Sequence, residues 1–179
     1  MGFSLLFASP ALTGAAATTT PATPAHEVTL TAYNAVPEQT DSNPFETASG
    51  AYSNPEVVAA RSQDLAEELP FGTIIELDGS GIADTGTCGF GVVEHEIGYR
   101  VIADTMNKKF TDRLDILFST DATYRTTDKG MKNAAQILGI CKGVTYRVVG
   151  HISINKIPHT QTELAMLVTG VAGNLALNK

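Results

Sequence analysis

The sequence predicts a mainly β protein, folded as a small barrel with short helices. The chain of 179 residues is long enough for one domain with a substantial core. Its apolar runs are short, rich in β-branched residues, and interrupted by Gly, Pro, Asn and Asp, as expected for strands joined by turns. Only two short helices interrupt these strands, which favours a barrel over a doubly wound sheet.

Six segments carry the strand pattern, and the first of them alternates polar and apolar residues along its length. We expect strands at 27–35, 56–60, 73–79, 98–105, 112–119 and 143–152. The stretch 39–55 is predicted to be a loop, because it contains Asn-Pro twice and Ser-Gly once. The glycine-rich stretch 79–91 is predicted to be a surface excursion.

Two short helices are expected between the strands. The first covers 62–69, with Ser62 as a candidate N-cap and Pro70 as the stop. The second covers 126–140 and ends at Gly139. Strands and helices together define a predicted domain at 26–154.

The first 25 residues differ in composition from the rest of the chain. A short apolar run is followed by small residues and a Thr/Pro/Ala tract, and an A-x-A-like cleavage site falls near 15–17. No Lys or Arg precedes Arg61, so the basic start of a secretory signal is missing. We therefore expect 1–25 to be either an export signal or a disordered segment. The pattern favours export to the cell wall, the periplasm or the exterior.

Residues 155–179 are predicted to form a helical C-terminal extension. One helical stripe carries Leu164, Val168, Val171 and Leu175, which favours docking on the barrel or on a partner. The apolar series is too short to predict an integral membrane span, and contact with a membrane surface is the less favoured alternative.

Charge and cysteine content limit the possible functions. The net charge is −7, so the chain has no basic excess to neutralise phosphates, and nucleic acid is not an expected partner. Cys88 and Cys141 could form a disulfide or remain two buried thiols. Their spacing is not that of a zinc site, and we expect neither a metal nor another cofactor. The oligomeric state is left open.

Two aspartates stand inside apolar, strand-like runs. Asp104 and Asp115 are costly to bury without partners, so their positions favour a function. Each also has a structural alternative. Asp115 could face solvent at a strand end, and Asp104 could bond backbone donors together with Thr105. Asp64 could simply favour the first turn of a helix, where the helix dipole stabilises an acid.

Three segments resemble a known family. "LTAY…TDSNPFETASG", "VVAARSQDLAEELPFGT" and "ADTM…DRLDILFS" are similar to the three-aspartate (3D) domain. That domain is shared by stationary-phase survival proteins of the resuscitation-factor-like class and by the barrel of membrane-bound lytic transglycosylase A. The resemblance covers residues 28–152 and implies a six-stranded double-psi β-barrel. The turn "MNKKFTD" is longer and bulkier than the glycine-rich turn of many relatives.

The resemblance also implies an activity on peptidoglycan. Lytic transglycosylases cleave the β-1,4 bond between N-acetylmuramic acid and N-acetylglucosamine and leave a 1,6-anhydro ring. The resemblance places the family's last aspartate, the catalytic acid/base, on Asp115, its middle aspartate on Asp104 and its first aspartate on Asp64. It implies substrate-binding positions at Asp41, Thr47, Ser49 and Thr105. The simplest structural alternative for Asp41 is an Asx-turn, and Thr47 and Ser49 could equally cap a turn.

The chemistry gives the acids a physical reason to cluster. One carboxyl group can protonate the leaving oxygen and then accept the proton of the muramyl C6 hydroxyl. Such an acid must hold its proton near neutral pH, and both burial and a neighbouring carboxylate raise a carboxyl pKa. We therefore expect Asp64, Asp104 and Asp115 to line one concavity, with their carboxyl groups within about 10 Å of one another.

Two other classes of function remain open. One is a non-catalytic module that binds cell-wall glycans with the same barrel. The other is an aspartate-dyad peptidase, which needs an Asp-Thr/Ser-Gly motif. "ADTG" at 83–86 supplies that motif through Asp84, although it falls in the glycine-rich stretch rather than at a strand turn.

Overall fold

The part of the chain that the structure describes contains eight strands and three short α-helices. The computed structural model describes residues 26–40, 43–83, 86–127 and 130–170. The strands are β1 (His26–Asn34), β2 (Val58–Arg61), β3 (Thr73–Asp78), β4 (Arg100–Thr105), β5 (Arg113–Phe118), β6 (Thr123–Thr126), β7 (Gly130–Asn133) and β8 (Cys141–His151). The α-helices are α1 (Phe90–Ile97), α2 (Ala134–Leu138) and α3 (Gln161–Thr169).

Six of the strands close into a barrel in the order β1-β5-β2-β4-β3-β8. The pairs β1–β5 and β2–β4 are parallel, and the other pairs in the barrel are antiparallel. Strands β6 and β7 form a separate two-stranded hairpin. The predicted fold class is confirmed, and each of the six predicted strands corresponds to one strand of the barrel.

Alternate residues of the barrel strands supply two hydrophobic cores. The α1–α2 core includes Leu30, Ile102 and Ile116 together with the buried apolar residues of α1 and α2. The α3 core lies on the other face of the same strands, and Tyr33 and Ala60 belong to it. This division follows from the two-residue period of a strand, which sends neighbouring side chains to opposite faces.

The first predicted helix is shorter than expected. A 3-10 helix covers only Gln63–Ala66, and the Ser62 side chain makes no capping hydrogen bond to it. Instead, the Ser62 hydroxyl oxygen accepts a hydrogen bond from the Arg113 amide, 3.1 Å away. Ser62 thus occupies the predicted N-cap position, but its side chain does not cap the helix. Ser62 joins the end of β2 to the start of β5.

The second predicted helix is largely wrong. Of the residues described in it, 126 and 130–133 belong to the strands of the β6–β7 hairpin, and the helical ones are Ala134–Leu138. The helix begins at a capping box in which the Asn133 side chain accepts the Ala135 amide and the Gln136 side chain bonds the Asn133 amide. The predicted end at Gly139 is confirmed, since Gly139 is the C-cap.

Helix α1 lies at the end of the glycine-rich stretch that was expected to be a surface excursion. Its buried residues Phe90, Val93 and Ile97 recur at helical spacing and pack into the α1–α2 core. The glycines on either side of this short segment conceal the periodicity, because glycine is a common sign of loops.

The C-terminal helix docks on the barrel as predicted. Thr160 and Glu163 form a capping box at the start of α3, and Leu164 is completely buried in the α3 core. Val168 packs partly against that core, whereas Val171 and Leu175 lie outside the described residues. Among the helices of the described ranges, none has the length and apolar character needed to cross a membrane.

A disulfide joins Cys88, just before α1, to Cys141 at the start of β8. The bridge links positions 53 residues apart, which on the chain-entropy account stabilises the fold by roughly 4 kcal/mol. We expect a reductant to lower the free energy of unfolding by about this amount, measured by denaturant titration with and without it. Two titratable thiols in the unfolded, unreduced protein would contradict the bridge.

Arg100 is the largest side chain that is completely buried. Its guanidinium donates to five backbone carbonyls at distances of 2.6–3.3 Å. The acceptors belong to Pro55, Val58, Glu96, Ile97 and Leu117. Burial lowers the pKa of Arg100 to about 9, so the group stays charged at neutral pH. Arg100 thus ties the end of α1 to β2 and β5.

Candidate functional site

Strand register places the two acids in one row across the barrel wall. Thr31 of β1 pairs with Asp115 of β5, and Asp115 pairs with Ala60 of β2. Ala60 in turn pairs with Asp104 of β4. The two acids are therefore two strands apart, about 10 Å between their backbones. Only the methyl group of Ala60 stands between them, which leaves open space above it.

A β-bulge brings Asp104 to this face of the barrel. Ala59 pairs with Ile102, but the next residue, Ala60, pairs with Asp104, so Ala103 is an extra residue in β4. In a regular strand with the same residues, Asp104 would share the face of Ile102 and point into the α1–α2 core, since side chains alternate along a strand. The carbonyl oxygen of Ala103 accepts a hydrogen bond from the Ser49 amide, 3.1 Å away.

Both acids line one cavity of about 470 Å³, a volume within the usual range for small-ligand sites. Strand residues form its floor, the segment after β4 forms one wall, and the loops after β1 form the other. The lining residues are Tyr33, Gln39, Thr40, Glu46, Ala48, Ser53, Ala60, Asp104, Thr105, Met106, Asn107, Phe110 and Asp115.

Asp104 is surrounded by hydrogen-bond donors. Its Oδ2 accepts the Tyr33 hydroxyl at 2.8 Å. Its Oδ1 accepts the amides of Ala48 and Thr105 at 2.9 and 2.8 Å. Three donors on one carboxyl group match an ionised carboxylate, which can only accept hydrogen bonds.

Asp115 has a different environment. Its Oδ1 accepts the Thr31 hydroxyl at 2.8 Å, and no other described residue donates to the group. Burial raises the pKa of Asp115 to about 7, the Thr31 hydrogen bond opposes that rise, and the charge of Asp104 adds to it. The row therefore holds one carboxyl group surrounded by donors and one that keeps its proton close to neutral pH.

The loop before β2 is folded over Asp104. Glu46 and Tyr52 form an isolated β-bridge, which makes a small hairpin. The Thr47 hydroxyl lies 3.0 Å from the Ser49 hydroxyl and donates to the Ala51 carbonyl at 3.1 Å. Thr47 and Ser49 thus hold the hairpin in shape and are not among the residues that line the cavity. Their placement matches the turn-capping alternative.

Asp64 does not join the pair. It lies exposed in the 3-10 helix, where its carboxylate accepts the Asp112 amide at 2.9 Å. Desolvation opposes its ionisation, but the hydrogen bonds from Asp112 and Ser62 and the charge of Arg61 hold the pKa of Asp64 below its usual value. Asp112 has a φ of 50°, so Asp64 supports a strained turn before β5.

The remaining predicted positions divide into two groups. Thr105 lines the cavity and fixes Asp104 through its amide. Asp41 and the peptidase-motif residue Asp84 lie outside the described residues. Within the described ranges, His, Cys, Asp and Glu side chains form no cluster that could hold a metal ion.

Sequence reasoning missed the two hydroxyls that bind the acids. Thr31 and Tyr33 lie two positions apart on β1 and therefore project from the same face. Each contacts an acid more than seventy positions away along the chain. The sequence signal for them was the alternation in "LTAY", which puts the two hydroxyl side chains on one face of a strand whose neighbours are apolar.

No protein-family model matches the sequence, and no curated protein matches it significantly. The geometry of the acid pair and the resemblance of the sequence segments are therefore the features that indicate a function.

Proposed function

We propose that the protein is an exported 3D-domain lytic transglycosylase that cleaves peptidoglycan glycan strands. The single observation that carries the proposal is the pairing of unlike acids in one cavity. Asp115 holds a proton near neutral pH, and Asp104 is surrounded by donors that suit a carboxylate. Two carboxyl groups with separate roles are the usual equipment for breaking a glycosidic bond.

In the proposed reaction Asp115 acts first as an acid and then as a base. It gives its proton to the glycosidic oxygen as the bond from that oxygen to the muramyl anomeric carbon breaks. The muramyl C6 hydroxyl attacks the anomeric carbon, and the Asp115 carboxylate takes the hydroxyl proton. The products are a 1,6-anhydromuramyl end and a free hydroxyl on the N-acetylglucosamine. The acid returns to its starting form without the use of water.

Asp104 is proposed to stabilise the positive charge that develops at the anomeric carbon. A fixed carboxylate in a partly enclosed cavity serves this purpose, because its donors hold it in place before the reaction begins. The Ala60 methyl group between the two acids leaves room for the sugar ring to lie across both.

Mass spectrometry of digested peptidoglycan tests the proposal. Purified protein is incubated with intact sacculi and with glycan strands freed of stem peptides. We expect muramyl ends that are one water lighter than the products of hydrolysis. Ordinary reducing ends would indicate a hydrolase. Binding to both preparations without any cleavage would indicate the alternative, a non-catalytic wall-binding module.

A further inference from the structure

The two oxygens of Asp115 are not equivalent. Oδ1 accepts the Thr31 hydroxyl at 2.8 Å. Oδ2 has no hydrogen-bond partner among the described residues. Among those residues, every side-chain oxygen that is closed off from solvent within the fold does have a partner. Oδ2 is therefore open, and Asp115 opens onto the 470 Å³ cavity. One oxygen faces a fixed donor and the other faces the space for a ligand.

The Thr31 hydroxyl has a preferred direction in this arrangement. If the acidic proton of Asp115 stood on Oδ1, the Thr31 hydroxyl would have to rotate and accept it. Its own hydrogen would then have no acceptor among the described residues, at the loss of a hydrogen bond. With the proton on Oδ2, Thr31 donates to Oδ1 in both protonation states of Asp115.

We infer that Thr31 is a positioning residue that fixes the acidic proton of Asp115 on Oδ2, the oxygen open to the cavity. The inference rests on the proposed acid/base role of Asp115 for its catalytic meaning. Thr31 lies on β1 directly beside Asp115 in the parallel β1–β5 pair, so the backbone ladder sets the distance between the two side chains. A proton fixed on the ligand side is ready for transfer to a leaving oxygen without rotation of the carboxyl group.

Three other titratable side chains lie near Asp115, on β1, β4 and β5. Asp104 on β4 raises the pKa of Asp115, and Arg113 on β5 lowers it. Tyr33 on β1 is neutral at ordinary pH, because burial raises its own pKa well above the usual value. Thr31 differs from all three because it acts through a direct hydrogen bond to one oxygen.

Replacement of Thr31 by valine and by serine tests the inference. Valine keeps the shape of threonine and removes the hydroxyl, whereas serine keeps the hydroxyl. The Asp115 carboxyl is titrated by carbon-detected NMR in the ligand-free protein, with circular dichroism to confirm the fold. Because the lost hydrogen bond favours the ionised form, we expect Thr31→Val to raise the titration midpoint by about one pH unit. Thr31→Ser is expected to titrate like the wild type.

Cleavage kinetics give a second readout. We expect Thr31→Val to lower kcat on the order of tenfold with little change in KM, and we expect Thr31→Ser to restore kcat. An unchanged Asp115 midpoint in Thr31→Val would overturn the inference. If the midpoint shifts as expected while the wild type forms no anhydromuramyl ends, the hydrogen-bond role of Thr31 is supported and the proposed function fails.

Discussion

Replacement of Asp115 by asparagine is expected to abolish glycan cleavage while the barrel stays intact. Asparagine preserves the shape of the side chain and can still accept the Thr31 hydroxyl, but it has no proton to give to the leaving oxygen. Loss of a general acid typically lowers a rate by about 10²–10⁴. The measurement is the yield of anhydromuramyl ends over time, by mass spectrometry.

Asp112→Asn is the matched control for this variant. Asp112 lies three positions earlier in the chain, is exposed, and is not among the cavity residues. Asparagine also tolerates the left-handed backbone that Asp112 adopts. Full cleavage by Asp115→Asn would refute the assignment of the acid. Equal loss in both variants would show that the effect is not specific to the cavity.

The Asp115→Asn variant also has a predicted effect on stability. The Asp115 carboxyl has an ordinary pKa near 3.8 in the unfolded chain and a pKa of about 7 in the folded protein. Between about pH 4 and pH 7 the folded state therefore keeps the Asp115 proton, whereas the unfolded state has lost it. Wild-type stability should therefore fall as the pH rises from about 4 to about 7, and the loss should be complete above that range. We expect Asp115→Asn to be more stable than the wild type at pH 8, on the order of 2–4 kcal/mol, and nearly equal at pH 4.

Replacement of Arg100 by methionine is expected to cause the largest loss of stability. Methionine fills much of the same volume but removes the guanidinium donor from five backbone carbonyl oxygens, three of them in buried hydrogen bonds. Unsatisfied buried polar groups cost about 1–3 kcal/mol each when they cannot reach water, so we expect a loss of at least about 3 kcal/mol. Denaturant unfolding measures the change.

Arg147→Met provides the comparison for that measurement. Arg147 also lies on a barrel strand, but its side chain is 56% exposed and its partner is Glu76. Exposed ion pairs contribute at most about 1 kcal/mol, so this variant should unfold almost like the wild type. If Arg100→Met lost no more stability than Arg147→Met, the carbonyl network around Arg100 would have no special importance.

The strands could be predicted because their signals are local. Alternation and turn residues lie within each segment, and all six predicted strands occur in the barrel. The helices were harder to predict, because in short segments the flanking polar and glycine residues hide the apolar periodicity of the helix. The stretch before Asn133 has no apolar periodicity, and Gly130 has a φ of 71°, which suits a hairpin rather than a helix.

The candidate site could be predicted only in part. The resemblance of the sequence segments pointed to Asp104 and Asp115. Which acids share a cavity, however, depends on the register of strands that are distant in sequence. Asp64 has the right residue type in a similar segment, yet its contact with the Asp112 amide draws it to the turn before β5. Thr31 and Tyr33 are ordinary strand residues until the pairing is known.

The bulge in β4 makes the acid pair depend on the path of the backbone rather than on the number of residues in the strand. If β4 ran as a regular strand with all of its residues, Ala103 would pair with Ala60, and Asp104 would turn toward apolar neighbours and away from Asp115. Deletion of Ala103 would instead make Asp104 the residue directly after Ile102, and alternation would keep its carboxylate opposite Ala60. The acid pair should therefore survive loss of the extra residue, but not a change that straightens β4 around it.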